Sequence, residues 1–377
     1  MTDTRKNRLR VAVLVKRFVT SGGSERYAVE VARQLADKGH TIDLYAREFD
    51  TTASASMKRC PVPDRLRFSS VLNLASFAFD AKRMLHGKTY DIVHSHERGY
   101  GQDVSTLHTF SYRGSLQKYA FLRKIDQVYL SPRSRIHLWL EQKQMRTPRL
   151  VAVSDVIKAD TRKYYHRDKG VSVISPGVDT TWFHSSWIAE NRDRVRQEEK
   201  IPDNEMVVLF VGTEFQRKGL DRLIPAITPG MQLVVVGKGE REGHYRRMVH
   251  KCGAADRVTF KGLSDDVRRY MAGADVIVLP SIKEAFGMSI LEGMACGLPV
   301  VTSADAGVST LINTGVNGFV FEDPSDLHGI LLHLFDPAER RSIGARARKT
   351  AEKHTWHSVA EAYEELYYDI ADEKQSL

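Results

Sequence analysis

Short apolar runs alternate with amphipathic stretches along the whole chain. Arg10–Val15, 41–46, about 66–71, 91–95 and 104–108 read as strands. Between the first two, Tyr27, Ala28, Val31, Ala32 and Leu35 recur at helical spacing, with Ser24 as the expected N-cap and Gly39 as the stop. A helix is predicted near 76–86. Leu150–Ser154, a helix at about 155–166 and Val171–Ser175 follow, and Pro176-Gly177 then breaks the chain. After a charged helical connector at 188–200 the pattern restarts, with strands at Val207–Val211, 232–236, 257–260, 275–279, Val300–Ser303 and 318–322. A helix ending near Cys296 is stopped by Gly297, a short one is predicted near 308–312, and helices at about 326–335, 337–353 and 356–371 close the chain. Short buried strands alternating with helices indicate parallel sheets covered on both faces. The pattern predicts an α/β chain of two Rossmann-like domains, residues 1–177 and residues 178–355.

Composition narrows the class. A chain of 377 residues, 42% hydrophobic and 27% charged, has the material for two soluble cores. No window approaches ~18 uninterrupted apolar residues, the basic N-terminus lacks a secretory h-region, and the three cysteines are scattered; a cytoplasmic protein is expected. Residues 1–180 carry +14 and the remainder −5 of the net +9, so the first half is suited to an anionic partner. Its basic residues concentrate in 110–149, interleaved with Tyr, Phe, Trp and Leu in two predicted helices, about 113–128 and 133–146. That composition fits peripheral contact with an anionic membrane, and equally an amphipathic pair with a solvated basic face. Arginine with aromatics also suits single-stranded nucleic acid, but no nucleic-acid module accompanies it and no such partner is expected.

In parallel sheets ligands sit beyond the carboxyl ends of the strands. The stretch 280–301, PSIKEAFGMSILEGMACGLPVV, is a strand end, a loop and a helix. Backbone N–H groups from Phe286 through Gly287 and Met288 to Ser289 would face an anion such as a diphosphate. Glu284 and Glu292 flank them and can accept hydrogen bonds from sugar hydroxyls. Arg217 and Lys218, adjacent after the 207–211 strand, are placed to neutralise a diphosphate, although charge runs are more often solvated. Gly22 and Gly23 permit close backbone approach to a ligand, or form a plain tight turn. His94, His96 and His108 fall at strand ends; His94 and His96 read as structural residues. No Asp-x-Asp metal motif occurs, and no metal is expected.

The order of landmarks (the Gly22-Gly23 loop, His108 within DVSTLHT, PGVD at 176–179, Arg217-Lys218-Gly219, and Glu284 and Glu292 followed by GLPV) resembles the retaining glycosyltransferases of the GT-B fold, family 4. The resemblance implies two domains facing each other across a cleft, the first completed by a C-terminal helix at about 356–377, and a nucleotide-sugar donor. It implies that Glu284 binds donor-sugar hydroxyls, Glu292 the ribose, Arg217 and Lys218 the diphosphate, and that His108 holds the sugar. It adds Gly23, Gly212, Gly237, Lys261, Phe286, Gly287, Met288 and Ser289 as donor contacts, and Gly22 and Asp103 on the acceptor side. Within the family, the pattern VGTEFQRKGLDRLI at 211–224 and the basic insertion most resemble the lipopolysaccharide core glucosyltransferases. This implies retaining, metal-independent hexosyl transfer, with UDP-glucose as donor, no cofactor, and a glycan or glycolipid acceptor at the inner face of a membrane. Another family 4 hexosyltransferase with a different donor or acceptor, a sugar-nucleotide epimerase on the same fold, and a non-catalytic nucleotide-sugar or nucleic-acid binder are the alternatives. Ala285 and Gly293 depart from the family pattern by swaps between small residues; Gly293 should weaken its helix slightly.

Overall fold

The apolar runs of the first half pair side by side in parallel. In the computed structural model, which describes residues 8–118 and 131–376, the strands are β1 (Arg10–Leu14), β2 (Arg17–Phe18), β3 (Thr41–Ala46), β4 (Glu48–Phe49), β5 (Lys58–Pro61), β6 (Ile92–Ser95), β7 (Val104–Leu107), β8 (Arg149–Ala152) and β9 (Val171–Val173). Seven of them form one parallel sheet in the order β5-β3-β1-β6-β7-β8-β9, and β2 pairs with β4 in a separate ribbon. The chain winds outward from β1 in one direction, then resumes on β1's other side with β6. The β1/β6 boundary is therefore the switch point, where loops from neighbouring strands diverge and leave a crevice.

The second half repeats the plan. Its strands β10 (Met206–Val211), β11 (Met231–Val236), β12 (Val258–Gly262), β13 (Val276–Leu279), β14 (Val300–Ser303) and β15 (Phe319–Phe321) are ordered β12-β11-β10-β13-β14-β15, all parallel. Its switch point lies between β10 and β13. Val207, Val208, Leu209, Phe210 and Val276 to Leu279 are at most 1% exposed, which is why these strands read as unbroken apolar runs rather than alternating ones. By contacts the chain divides into two compact units, Met1–Pro176 with Trp356–Leu377, and Gly177–Thr355.

Within the first unit, helix Trp356–Gln375 packs on helix Gly23–Asp37. Tyr363 and Tyr367 are fully buried, and their hydroxyls are satisfied by a continuous network. The Tyr27 hydroxyl lies 3.0 Å from both the Ile174 carbonyl and the Tyr363 hydroxyl. Tyr363 in turn meets Thr106 Oγ1 at 2.7 Å, and His94 bridges Thr106 at 2.7 Å and Tyr367 at 2.6 Å.

Three local expectations change. No strand forms at 66–71: Ser69 caps helix Ser70–Leu85 and Phe68 is 79% exposed, while the edge strand is β5. Its Pro61 hides it from pattern reading, since proline is tolerated only on such edges. Ser24 lies inside its helix; Gly22 is the N-cap, with φ +96°, and supplies no side chain. The predicted helix 113–128 is a short turn, Tyr112–Ser115, continued by a 3-10 turn at Leu116–Lys118, and the remainder falls outside the described residues.

Candidate active site

At the switch point of the second unit, the loop after β10 and the loop after β13 bring two cations onto one carboxylate. Glu284 Oε2 lies 2.9 Å from Arg217 Nη1 and 3.0 Å from Lys218 Nζ. Arg217 Nη1 also donates to the Lys283 carbonyl at 3.0 Å, and its Nε to Glu214 at 2.5 Å. Backbone bonds fix Glu284 itself: its N–H reaches the Asp305 carbonyl at 3.2 Å and its carbonyl accepts from Gly307 at 3.1 Å. Burial pushes the Glu284 carboxyl up, but Lys218 and Arg217 outweigh it and hold it below the usual carboxylate range. The two cations share Oε2, so Oε1 has no partner among the described residues.

Two glycines make room for this cluster. A Cβ on Gly212 would stand 2.3 Å from Lys218 Cδ, so the lysine stem lies in the space the glycine leaves. Gly237, at φ +128°, crosses so close that a Cβ would meet the Gly212 carbonyl oxygen at 2.1 Å. Lys261 does not join them. Its ammonium pairs with Glu199, which leaves its backbone groups for a ligand.

Beyond Glu284 the chain enters helix Met288–Ala295, with Gly287 as N-cap. A Cβ on Gly287 would be 3.7 Å from Glu284 Cγ, so the helix start and the cation pair adjoin. Phe286 is buried, and its carbonyl accepts from Val308 at 2.8 Å. Ser289, in the first turn, is 8% exposed and its Oγ has no hydrogen-bond partner among the described residues; buried hydroxyls of this kind are rare unless a ligand or water completes them. Glu292 follows one turn later and is 7% exposed. The helix ends as Gly297 predicts, with Gly297 N–H on the Met294 carbonyl and Leu298 N–H on that of Gly293. Gly293 has a packing reason: a Cβ there would sit 2.4 Å from Ile277 Cγ2 on β13.

In the first unit His108 follows β7. Its Nε2 is 3.0 Å from His96 Nδ1, the two rings stack at 5.3 Å, and Tyr27 meets His108 edge-on at 5.0 Å. Burial pushes His108 down to about 3, so it is a neutral hydrogen-bonding ring at pH 7. Both ring nitrogens of His94 are occupied, which fits its structural role. His96, however, touches His108, a link that an isolated histidine in a sequence does not announce. Asp103 is a correction. It precedes β7 and is taken up by the Val93 N–H at 2.7 Å and Lys374 at 2.8 Å. It lies about 16 Å along the strand from His108, at the amino end, where acceptor ligands of such sheets do not sit. Gly22 and Gly23 open helix Gly23–Asp37 near the β1 end.

Of the basic stretch 110–149, residues 119–130 lie outside the described residues. Part of the rest is tied inward: buried Glu141 accepts the N–H groups of Tyr112 at 2.7 Å and Arg113 at 3.0 Å. Trp139 is 45% exposed, with Lys143 Nζ 5.9 Å from its ring centroid. No described helix is long and apolar enough to cross a membrane. Among the described residues no group of three or more His, Cys, Asp or Glu could hold a metal ion.

Comparison with known proteins places these features. Residues 191–350 match the model of glycosyl transferases group 1, and residues 21–182 that of glycosyltransferase family 4. The lipopolysaccharide glucosyltransferase WaaG of Escherichia coli (strain K12) is 26% identical, covering 93% of this chain and 96% of that protein. A D-inositol 3-phosphate glycosyltransferase of Xylanimonas cellulosilytica is 28% identical, covering 92% and 91%. A crystal structure of WaaG superposes with a TM-score of 0.80 at 24% identity over 95% of this chain and 99% of that one. The Anabaena protein Alr3699/HepE, solved with UDP and glucose, shares the fold at a TM-score of 0.73 and 20% identity, over 95% and 99% of the two chains. With both of its sheets accounted for in this way, the chain belongs to the GT-B glycosyltransferases of group 1 and family 4.

Proposed function

We propose that the protein transfers a hexosyl group, with retention, from UDP-glucose to a sugar of a lipid-anchored glycan such as the lipopolysaccharide core. The observation that carries this is the Arg217–Lys218–Glu284 cluster beside the start of helix Met288–Ala295. Two cations and a helix N-terminus suit a diphosphate and would stabilise the charge that develops as it departs. Held by its Oε2, Glu284 offers Oε1 to a donor-sugar hydroxyl. Glu292 takes the ribose, and neutral His108 hydrogen-bonds a sugar hydroxyl near the reacting carbon. The acceptor hydroxyl attacks on the face the nucleotide leaves; the new C–O bond forms, the bond to the diphosphate breaks, and the hydroxyl proton passes to the departing phosphate oxygen. Arg217 and Lys218 supply positive charge where other transferases use a metal, so the transfer is read as metal-independent and cofactor-free.

The glucosyl donor and glycan acceptor are supported by the likeness to a lipopolysaccharide glucosyltransferase. In this reading the first unit takes the acceptor and the second the donor. The protein works in the cytoplasm, and residues 110–149 dock it on the anionic inner face of the membrane. Thermal shift with UDP-, GDP- and ADP-sugars tests the donor, because a ligand of the native state raises its melting point. The expected result is the largest shift with UDP-glucose, followed by glucosyl transfer to deacylated lipopolysaccharide core. A larger shift with another base, or NMR showing epimerised donor in the absence of acceptor, would overturn the reading.

A further inference from the structure

The first unit holds a cavity of about 210 Å³ at its own switch point, lined from the ends of β1, β6 and β7. At ~30 Å³ per water this is the space of about seven waters, enough for one sugar ring. His108 and His96 form part of its wall.

Most of its polar lining is already satisfied. Glu141 holds two backbone N–H groups, the Tyr165 hydroxyl and, at 3.2 Å, the guanidinium of Arg98. Asp160 accepts the Ser111 N–H at 2.8 Å, and Gln144 donates to Ser105 at 2.9 Å. Glu97 differs. Its Oε1 takes the Lys16 N–H at 3.1 Å, and its Oε2 has no partner among the described residues. The Gly22-Gly23 turn, which could have cradled a phosphate, is covered by its own chain. Ser24 donates to Glu25 Oε2 at 2.7 Å, and a Cβ on Gly22 would stand 2.6 Å from that oxygen. Among the lining residues Arg98 is the sole lysine or arginine, and it is engaged by Glu141 and lies 3.3 Å from His137.

We infer that this cavity is the acceptor pocket and that Glu97 determines its specificity, accepting a hydroxyl of a sugar ring that carries no phosphate. The inference rests on the transferase reading and names the acceptor class. It also separates the two kinds of relative, since a phosphorylated cyclitol would meet Glu25 and Glu97 with no uncommitted cation. A hydroxyl donor, by contrast, completes the unpaired oxygen of Glu97.

The test uses the full chain with UDP-glucose and three acceptor probes: deacylated lipopolysaccharide core, the same core dephosphorylated with hydrofluoric acid, and 1D-myo-inositol 3-phosphate. Native protein should glucosylate the dephosphorylated core at least as well as the phosphorylated one and leave inositol 3-phosphate untouched. Glu97→Gln keeps an oxygen for the Lys16 N–H, so it should fold. It should raise KM for the core about tenfold or more, while UDP still raises Tm as it does in the native chain. Transfer to inositol 3-phosphate in preference to dephosphorylated core, or a KM within twofold in Glu97→Gln, would overturn the inference while leaving the transferase intact. Absence of transfer from UDP-glucose to all three probes would instead overturn the proposed function, and this inference with it.

Discussion

Replacing Lys218 by methionine removes one charge from the donor-side cluster and keeps the hydrocarbon stem that fills the space over Gly212. Glu284 would retain Arg217 at 2.9 Å, so its carboxylate is not stranded. The loss in stability should therefore be that of one hydrogen bond between charged groups, about 1.5–3 kcal/mol, rather than the ~3–5 kcal/mol of an orphaned buried charge. For a unit the size of Gly177–Thr355 that corresponds to a Tm lower by about 3–12 °C. Activity should suffer more. If Lys218 faces the departing diphosphate, losing one preorganised cation should reduce kcat by about 10²–10³. The assay is single-turnover glucose transfer at a temperature where the melting curve shows the variant fully folded. A variant with the expected Tm loss but kcat within about threefold of native would confine Lys218 to a structural ion pair and refute its assignment.

Gly237→Ala must hold a side chain at φ +128° against the Gly212 carbonyl oxygen; the expected cost is about 2–4 kcal/mol, read as a lower urea midpoint. His94 gives the first unit an acid sensitivity. Burial, helped by His108, pushes it down to about 3 from 6.5, so in acid the unfolded chain takes up a proton that the folded one refuses. Its contribution is intact above pH 6.5 and declines on the order of 1 kcal/mol per unit below that, toward pH 3. Urea midpoints at pH 7.5, 5.5 and 4.5 should fall in that order, and less steeply in His94→Gln. EDTA should leave turnover within twofold, whereas loss restored by magnesium would contradict the role given to Arg217 and Lys218.

The alternation of apolar runs with helical periodicities was enough to find the strands of the second sheet and all but the edge strand of the first, because strands buried on both faces must be apolar throughout and helices must carry a stripe. Gly297 was readable for the same local reason: a left-handed stop needs glycine there whatever surrounds it. The glutamates and the Arg217-Lys218 pair stood out through spacing along a single strand-loop-helix unit. Other features depended on residues far apart in the chain. The edge strand Lys58–Pro61 exists because β3 offers it a partner, despite its proline. Asp103 belongs to the wrong end of its strand, and Lys261 is claimed by Glu199. The pairing of His96 with His108, and the gathering of Glu25, Glu97 and Glu141 around one cavity, arise only where strands distant in sequence lie adjacent at a switch point. Periodicity and local backbone demands are written residue by residue, so the sequence by itself determined the elements and their class. Which side chains share a cavity is set by strand order, and only the tertiary structure decided that.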